Sequence, residues 1–363
     1  MVGILTFHRA ANYGAVLQCY ALQQALDKLK IENEIIDYRC SYIQRHYSPI
    51  PSVSFIHIRR FIYELCEAPI KFKVRLQFDK FLKLNLRLSD SVNKSQMKSF
   101  CCRYNTIITG SDQVWNLAIT GEDTTYFLDF STKGCQKISY AASIGPKEVK
   151  EKYIKIMQPF LQLYDIISIR EEAAINSIQQ MTGRMPRVDT DPTVLMDISE
   201  WNYLVTKSKL KLKNKKYIFL YLMQDSPELI QMAKMLAQKY KLVVYSILMM
   251  DSKEQVGIDM RGSSVEDFLY LIHNAEFVCT NSFHGIMFSI RFHKKFFWAY
   301  QSGKNMSNPR FDMLIHQYGI DCRCFIPEQE ILEYQDMHYE SVDKMMSIQR
   351  RKSLQYLKEG IKS

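Results

Sequence analysis

Five short apolar runs in this chain of 363 residues each end in a loop rich in glycine and polar side chains. In open α/β sheets, ligands sit outside the carboxyl ends of the strands, so these loops are where chemistry is sought. Residues 2–7 lead to His8 and then Asn12-Tyr13-Gly14, and residues 106–109 lead to Gly110-Ser111-Asp112-Gln113-Val114-Trp115-Asn116. Residues 138–142 lead to Ser143-Ile144-Gly145, 166–169 to Arg170-Glu171, and 277–280 to Asn281-Ser282-Phe283-His284-Gly285. His284 falls between a strand end and a helix starting at Gly285, where backbone N–H groups attract anions and glycine permits close approach. Its imidazole can hydrogen-bond an anion there and, when protonated, act as a general acid; a histidine that only caps the turn is the competing reading. Asn281 and Ser282 can donate from the same loop or cap the helix. Arg170 offers a planar guanidinium for bidentate carboxylate binding, or for a structural ion pair with Glu171, Glu172 or Asp191.

Such loops need strands and helices in alternation to hold them. Residues 2–7, 34–38, 106–109, 138–142 and 166–169 read as short buried strands, and residues 15–29 carry apolar side chains near helical spacing. A second series follows: strand 217–222, helix 227–240, strand 242–247, helix 265–273, strand 277–280, helix 286–292 and strand 296–300. The pattern predicts an α/β protein of two Rossmann-like domains facing across a cleft, the arrangement called GT-B. The acid-free stretch 201–216 holds six lysines and marks the boundary, giving domains 1–200 and 201–337 and a C-terminal helix over 338–363. The first strand enters its loop without a G-x-G-x-x-G run, which argues against a dinucleotide enzyme.

Charge is unevenly distributed. The formal total is +10, yet residues 39–104 hold 13 Lys or Arg against 4 Asp or Glu, a local +9. Basic and apolar residues are interleaved there, as in Ile58-Arg59-Arg60-Phe61-Ile62 and Phe72-Lys73-Val74-Arg75-Leu76. That pattern suits an amphipathic helix on anionic lipid or a charged ligand, or else a solvated helix face. No helix-turn-helix, finger or RNP-type signature accompanies the charge, so nucleic acid is not expected as a partner. Nine irregularly spaced cysteines do not form a disulfide framework; Cys101, Cys102, Cys322 and Cys324 read as small core or surface residues. No apolar run approaches the roughly 20 residues of a membrane span, and no basic stretch precedes the first apolar segment, which predicts a cytoplasmic protein without a signal peptide. No HxH, HExxH or acidic cluster with ligand spacing is present, so neither a metal nor a cofactor is expected.

Taken in order, the loops resemble the polysaccharide pyruvyl transferase family. The resemblance rests on Gly3-Ile-Leu-Thr-Phe7 with Asn12-Tyr-Gly14, on Gly110 to Asn116, on Ser139-Tyr-Ala-Ala-Ser-Ile-Gly145, on Ser168-Ile-Arg170-Glu171, on Asp191-Pro-Thr193 and on Asn281-Ser-Phe-His-Gly285. It implies a GT-B-like fold and transfer of the enolpyruvyl unit of phosphoenolpyruvate onto two sugar hydroxyls, giving a cyclic pyruvate ketal. It further implies that His284 is an essential active-site residue. Lys304, in the loop 301–308 where family members carry a basic residue, becomes the implied phosphate contact, although an exposed lysine is the ordinary fate of this residue type. Arg170 is then expected on the donor's carboxylate, with Asn281 and Ser282 completing the phosphoenolpyruvate site.

The acceptor is expected on the first domain, where Asn12, Trp115 and Asn116 bind sugar through amides and a stacking indole, and Asp112 takes a hydroxyl proton. A turn-forming Gly-Ser-Asp run and a core-filling Trp115 are the alternatives, and His8 is a further candidate base. The match is thin over 40–104, where an acceptor particular to this protein would be recognised; basic and aromatic character there fits an oligosaccharide on polyprenyl diphosphate at the inner face of the plasma membrane. A GT-B glycosyltransferase using a nucleotide sugar is the alternative activity, since fold does not fix function.

Overall fold

The computed structural model describes residues 1–49, 58–130, 134–248, 256–301, 309–320 and 337–361. The chain divides into two compact units, Met1–Met196 with Met346–Ser363, and Asp197–Met345.

The first unit is built on strands β1 (Val2–Leu5), β2 (Asn33–Ile35), β3 (Thr106–Thr109) and β4 (Gln136–Ser139), all parallel in the order β2-β1-β3-β4. Nearly every residue of β1, β3 and β4 is buried, as expected of parallel strands covered on both faces. A short parallel pair, β5 (Ser168–Ile169) and β6 (Arg187–Val188), continues the order through bridges Ile138↔Ile166 and Ala142↔Ile169. β4 stops at Ser139, short of the expected 142, because Ala141 turns into left-handed backbone with φ of 44°. Helix Tyr13–Lys28 returns the chain from β1 to β2; Asn12 caps it by accepting from Ala15 N at 3.1 Å, and its apolar side chains are buried. The basic stretch forms a helix of 28 residues, Ile58–Asn85, with Pro69 inside it.

In the second unit, β7 (Tyr217–Leu222), β8 (Val243–Leu248), β9 (Ile258–Asp259), β10 (Phe277–Thr280) and β11 (Lys295–Trp298) make a parallel sheet in the order β11-β10-β7-β8-β9. The sheet is doubly wound, and its strand order reverses between β7 and β10. Helices Pro227–Tyr240, Val265–His273 and Phe283–Arg291 connect the strands. Aromatic pairs hold these layers: Phe268 lies edge-on to Tyr221 of the sheet at 4.9 Å, and Trp201 of helix Ile198–Val205 edge-on to Phe288 of the neighbouring helix at 4.9 Å. Each such pair adds about 0.5–1.5 kcal/mol beyond area burial.

The last helix, Tyr339–Gly360, has its final turns on the first unit. There Tyr356 donates to Ser139 O at 2.8 Å, Ser353 to Asp189 at 2.7 Å, and Gln136 reaches Gly360 O at 2.8 Å. Among the described residues no helix is long and apolar enough to cross a membrane. Cys322 and Cys324 lie outside the described residues.

Candidate active site

The switch point of the second unit is held by side chains at the strand ends. Thr280 Oγ1, at the end of β10, donates to Tyr221 O on β7 at 2.6 Å and accepts from Ser282 N at 3.1 Å. Asn281 then straps the neighbouring loops: Oδ1 accepts from Met223 N (2.8 Å), Nδ2 donates to Gln224 O (2.9 Å), and its carbonyl accepts from Gln301 Nε2 (2.8 Å). Ser282 Oγ accepts from Gly285 N at 3.2 Å, so the helix begins at Phe283, earlier than the expected 286. His284 therefore occupies the first turn of a helix, where backbone N–H groups have no intrahelical acceptor and the dipole favours anions. The ring is 6% exposed and stands edge-on to Phe283 at 5.1 Å. Gly285 is required by packing: a Cβ would fall 2.5 Å from Thr280 Oγ1 and 3.1 Å from Tyr221 Cδ1.

The first unit uses the same place in its own sheet, between β1 and β3. Thr6 Oγ1 donates to Ser111 O at 2.9 Å, Gln18 Nε2 donates to Thr6 Oγ1 at 2.9 Å, and Ser111 Oγ donates to Ala141 O at 2.7 Å. Gly110, with φ of 116°, comes so close to Tyr140 O that a Cβ would strike it. Asp112 follows with φ of 74°, left-handed backbone that aspartate tolerates better than most residues. Its Oδ1 accepts from Gln113 N at 2.9 Å and lies 3.8 Å from Arg170 Nη2. Arg170 is fully buried, donating from Nε to Glu171 (3.1 Å) and from Nη1 to Asp191 (2.8 Å). Burial pulls this guanidinium down, but Glu171, Asp191 and Asp112 more than reverse it and leave it above its ordinary range.

The sequence profile of the polysaccharide pyruvyl transferase family matches residues 12–302, which include these loops in both units. The chain belongs to the polysaccharide pyruvyl transferase family. A search among curated proteins finds no match. Among solved structures, a Listeria monocytogenes protein assigned as a UDP-N-acetylglucosamine 2-epimerase shares 8% identity at a TM-score of 0.51, covering 99% of this chain and 90% of its own. UDP-GlcNAc 2-epimerase from Neisseria meningitidis, bound to UDP-GlcNAc, aligns at 8% identity and a TM-score of 0.47 over 98% of this chain and 99% of its own. Identity this low shows fold alone, and the first of the two supports the α/β, GT-B-type class of two Rossmann-like units.

Within this pyruvyl transferase family member, several expected contacts take other roles. Trp115 is a correction: it is fully buried, its ring stacked on Phe127 at 6.0 Å and edge-on to Tyr164 at 5.5 Å, and Nε1 donates to Tyr126 O, so it fills core and offers no face to a sugar. Arg170 makes the ion pairs also expected of it, Nε with Glu171 and Nη1 with Asp191, while Nη2 is turned toward Asp112 Oδ1 at 3.8 Å. Asn12, Asn116 and Ser282 act as helix caps; Asn116 Oδ1 accepts from Ala118 N at 3.2 Å, and its Nδ2 donates to Gln113 Oε1 at 2.9 Å. Asn281 acts as a strap, while His284 and Asp112 stand at the strand ends where they were expected. Lys304 lies outside the described residues.

Sequence reasoning missed a charge network beside the β1 loop. His8 is buried and contacts Asp37 Oδ1 from Nε2 at 2.9 Å, which gives it a structural role in the loop. Arg9 grips Asp37 bidentately at 2.7 Å on both oxygens, and Arg39 adds a third contact at 2.9 Å. Burial would raise the Asp37 carboxyl, but the His8 and Arg9 hydrogen bonds carry it well below the usual carboxylate range. Burial holds His8 below its ordinary value against the pull of Asp37. Of this network only Arg39 belongs to the basic stretch 39–104.

Proposed function

We propose that the protein moves the enolpyruvyl group of phosphoenolpyruvate onto two hydroxyls of a sugar in a surface-polysaccharide precursor, forming a pyruvate ketal and releasing phosphate. The observation that carries this reading is the family match through both units, with His284 set at a helix N-terminus on the switch point of the second. The donor is assigned to that unit's loops, where helix N–H groups, His284 and Lys304 meet its phosphate. The acceptor is assigned to the loops of the first unit around Asp112.

In this scheme protonated His284 delivers a proton to the methylene carbon of phosphoenolpyruvate, which becomes the methyl group, while C2 takes up positive charge. One sugar hydroxyl bonds to C2 and loses its proton to Asp112. The C2–O bond to phosphate then breaks, the second hydroxyl bonds to C2, and its proton leaves with the phosphate. Asp112 then gives its proton to solvent and His284 takes one back, so over a full turnover the two hydroxyl protons are matched by the new methyl hydrogen and the proton on the departing phosphate, with no oxidant or further cofactor. Arg170 acts as a positioning residue, fixing Asp112, Glu171 and Asp191 in one buried cluster. The acceptor is proposed to be a polyprenyl-diphosphate-linked oligosaccharide, with the protein peripheral on the inner membrane face; the +9 charge of residues 39–104 supports this.

Thermal stabilisation by phosphoenolpyruvate, compared with UDP-, GDP- and CMP-sugars, tests the reading. A ligand at about 100 times its dissociation constant stabilises the native state by roughly 2.7 kcal/mol. The expected result is a shift with phosphoenolpyruvate that His284→Ala abolishes, and turnover unchanged by a chelator. A shift with a nucleotide sugar and none with phosphoenolpyruvate would overturn the assignment in favour of a glycosyltransferase.

A further inference from the structure

Within the first unit, a cavity of about 370 Å³ opens beside the β1 loop, lined among others by Arg9, Arg39, Arg45, Tyr47, Arg75 and Asp79. Its four guanidiniums come from three separate elements: the loop after β1, the segment running from Arg39 into helix Ser41–His46, and helix Ile58–Asn85. Two carboxylates answer them. Arg9 takes Asp37 bidentately and Asp79 at 3.0 Å, Arg39 takes Asp37 at 2.9 Å, and Arg75 approaches Asp79 at 3.7 Å. Arg45 has no carboxylate partner among the described residues; its Nε reaches only Ser41 O at 3.4 Å. Four cations less two anions leave the pocket at +2, with His8 neutral. Arg9 and Asp37 form the rigid floor, whereas Arg45 and Arg75 remain exposed at the rim. This is the chemistry of a dianion site: planar guanidiniums, prearranged by buried Asp37 and part-exposed Asp79, with the charge of one phosphate or diphosphate still to be matched.

The helix that supplies Arg75 also carries an exposed apolar row. Phe61, Leu65, Phe72 and Leu76 are 38%, 55%, 49% and 69% exposed. Their spacing puts them on one face, and Phe72, Arg75, Leu76 and Asp79 follow the i, i+3, i+4, i+7 pattern, so the row adjoins the rim of the pocket. Exposed Lys73, Lys80 and Lys83 flank it. An apolar row edged with lysines beside a cationic pocket matches a bilayer interface, where apolar side chains enter the acyl boundary and cations meet phosphates. Cys40 Sγ reaches Thr120 O at 3.8 Å and the Tyr42 ring packs against Gly121, so the segment carrying Arg39 and Arg45 lies beside the stretch that follows the proposed acceptor loop.

We propose that this pocket binds a phosphate or diphosphate group carried by a lipid, with the Phe61–Leu76 row seated in the membrane interface beside it. The inference rests on the acceptor half of the function proposed above and gives it a site. The test uses the full chain, inorganic diphosphate in solution, and phosphatidylcholine vesicles with or without phosphatidic acid, whose headgroup is a phosphate monoester. Diphosphate should bind the wild type and bind Arg39→Gln/Arg45→Gln at least tenfold more weakly. Phosphatidic acid vesicles should retain the wild type, lose that variant, and lose Leu65→Ser/Leu76→Ser even though the latter keeps its diphosphate affinity. Stabilisation by phosphoenolpyruvate should be the same in the arginine variant as in the wild type; its absence from both refutes the donor assignment while leaving the pocket to be judged on its own ligands. Diphosphate binding without preference for phosphatidic acid overturns the lipid source, and equal binding by wild type and arginine variant overturns the site.

Discussion

Replacing Gly285 with Ala should impair turnover far more than stability. The added Cβ would sit 2.5 Å from Thr280 Oγ1, 3.1 Å from Thr280 Cγ2 and 3.1 Å from Tyr221 Cδ1. Thr280 cannot rotate away cheaply, since its hydroxyl bridges Tyr221 O and Ser282 N. Overpacking of this size costs about 1–3 kcal/mol, and the better helix propensity of alanine returns up to about 1 kcal/mol. The net loss is therefore on the order of 1–2 kcal/mol, a fall in Tm of several degrees at most for a unit of this size. The helix must instead shift by some tenths of an ångström and carry His284 with it, and misplacement on the 1 Å scale costs about a hundredfold in rate. Phosphate release from phosphoenolpyruvate with acceptor, read beside urea unfolding, should show kcat falling about tenfold to a hundredfold while most stability remains. Thr280→Ala added to Gly285→Ala removes the two Thr280 atoms, including the nearest, so the double variant should be more stable than the sum of the single effects by about 1 kcal/mol or more; Thr280→Ser, which keeps the oxygen, should give little such relief. Wild-type turnover in Gly285→Ala, or strict additivity with Thr280→Ala, would refute the claim that this contact sets the His284 loop.

Arg170→Met should destabilise the first unit by about 3–5 kcal/mol in urea unfolding, because Glu171 and Asp191 are left buried without their cation; a cost near zero would show that the cluster does not depend on charge. Trp115→Phe should lower stability yet leave the acceptor KM unchanged, and Trp115→Ala should cost about 3–5 kcal/mol; a raised KM in Trp115→Phe would restore the sugar-stacking role. Acid should act in two stages. The folded state resists protonation of His8, so the unfolded chain binds that proton first, and stability falls as pH drops below about 6.5 toward the depressed folded value. Asp37 is depressed in the folded state, so its contribution is complete above the unfolded value of about 3.9 and is lost as pH falls further. Unfolding free energies measured from pH 8 to pH 4 should show the first slope in the wild type and not in His8→Asn.

The strands were legible because parallel strands buried on both faces read as unbroken apolar runs, and β3, β7 and β10 coincide with the runs at 106–109, 217–222 and 277–280. Strand ends were less legible where backbone geometry decided them: nothing in the apolar run 138–142 announces that Ala141 adopts φ of 44° and closes β4 at Ser139. At the site, position was more readable than the choice among partners. His284 could be placed at a helix start from Ser282 and Gly285, whereas Arg170 had three carboxylates to choose from, and the fold gives Nε to Glu171 and Nη1 to Asp191, 21 residues away, leaving Glu172 out. Trp115 looked available because it follows a turn sequence, but only tertiary packing with Phe127 and Tyr164 decides whether an indole faces water. The arginine pocket was beyond any motif, since its cations stand at positions 9, 39, 45 and 75.

The corrections have a common cause in the switch points themselves. Where neighbouring loops leave a sheet in opposite directions, a crevice opens and exposes backbone polar groups that require partners. Thr6, Gln18 and Ser111 satisfy them between β1 and β3; Thr280 and Asn281 do so between β7 and β10. A string such as Asn281-Ser-Phe-His-Gly285 thus divides its work. Asn281 ties the loops, Ser282 starts the helix, Gly285 lets it approach the sheet, and His284 is the side chain that this geometry brings to an anion-favouring helix end. The polar residues around a catalytic group are therefore read first as the means of holding it, and a contact to ligand is assigned to them only where the strap, cap and ion-pair roles leave an atom to make it.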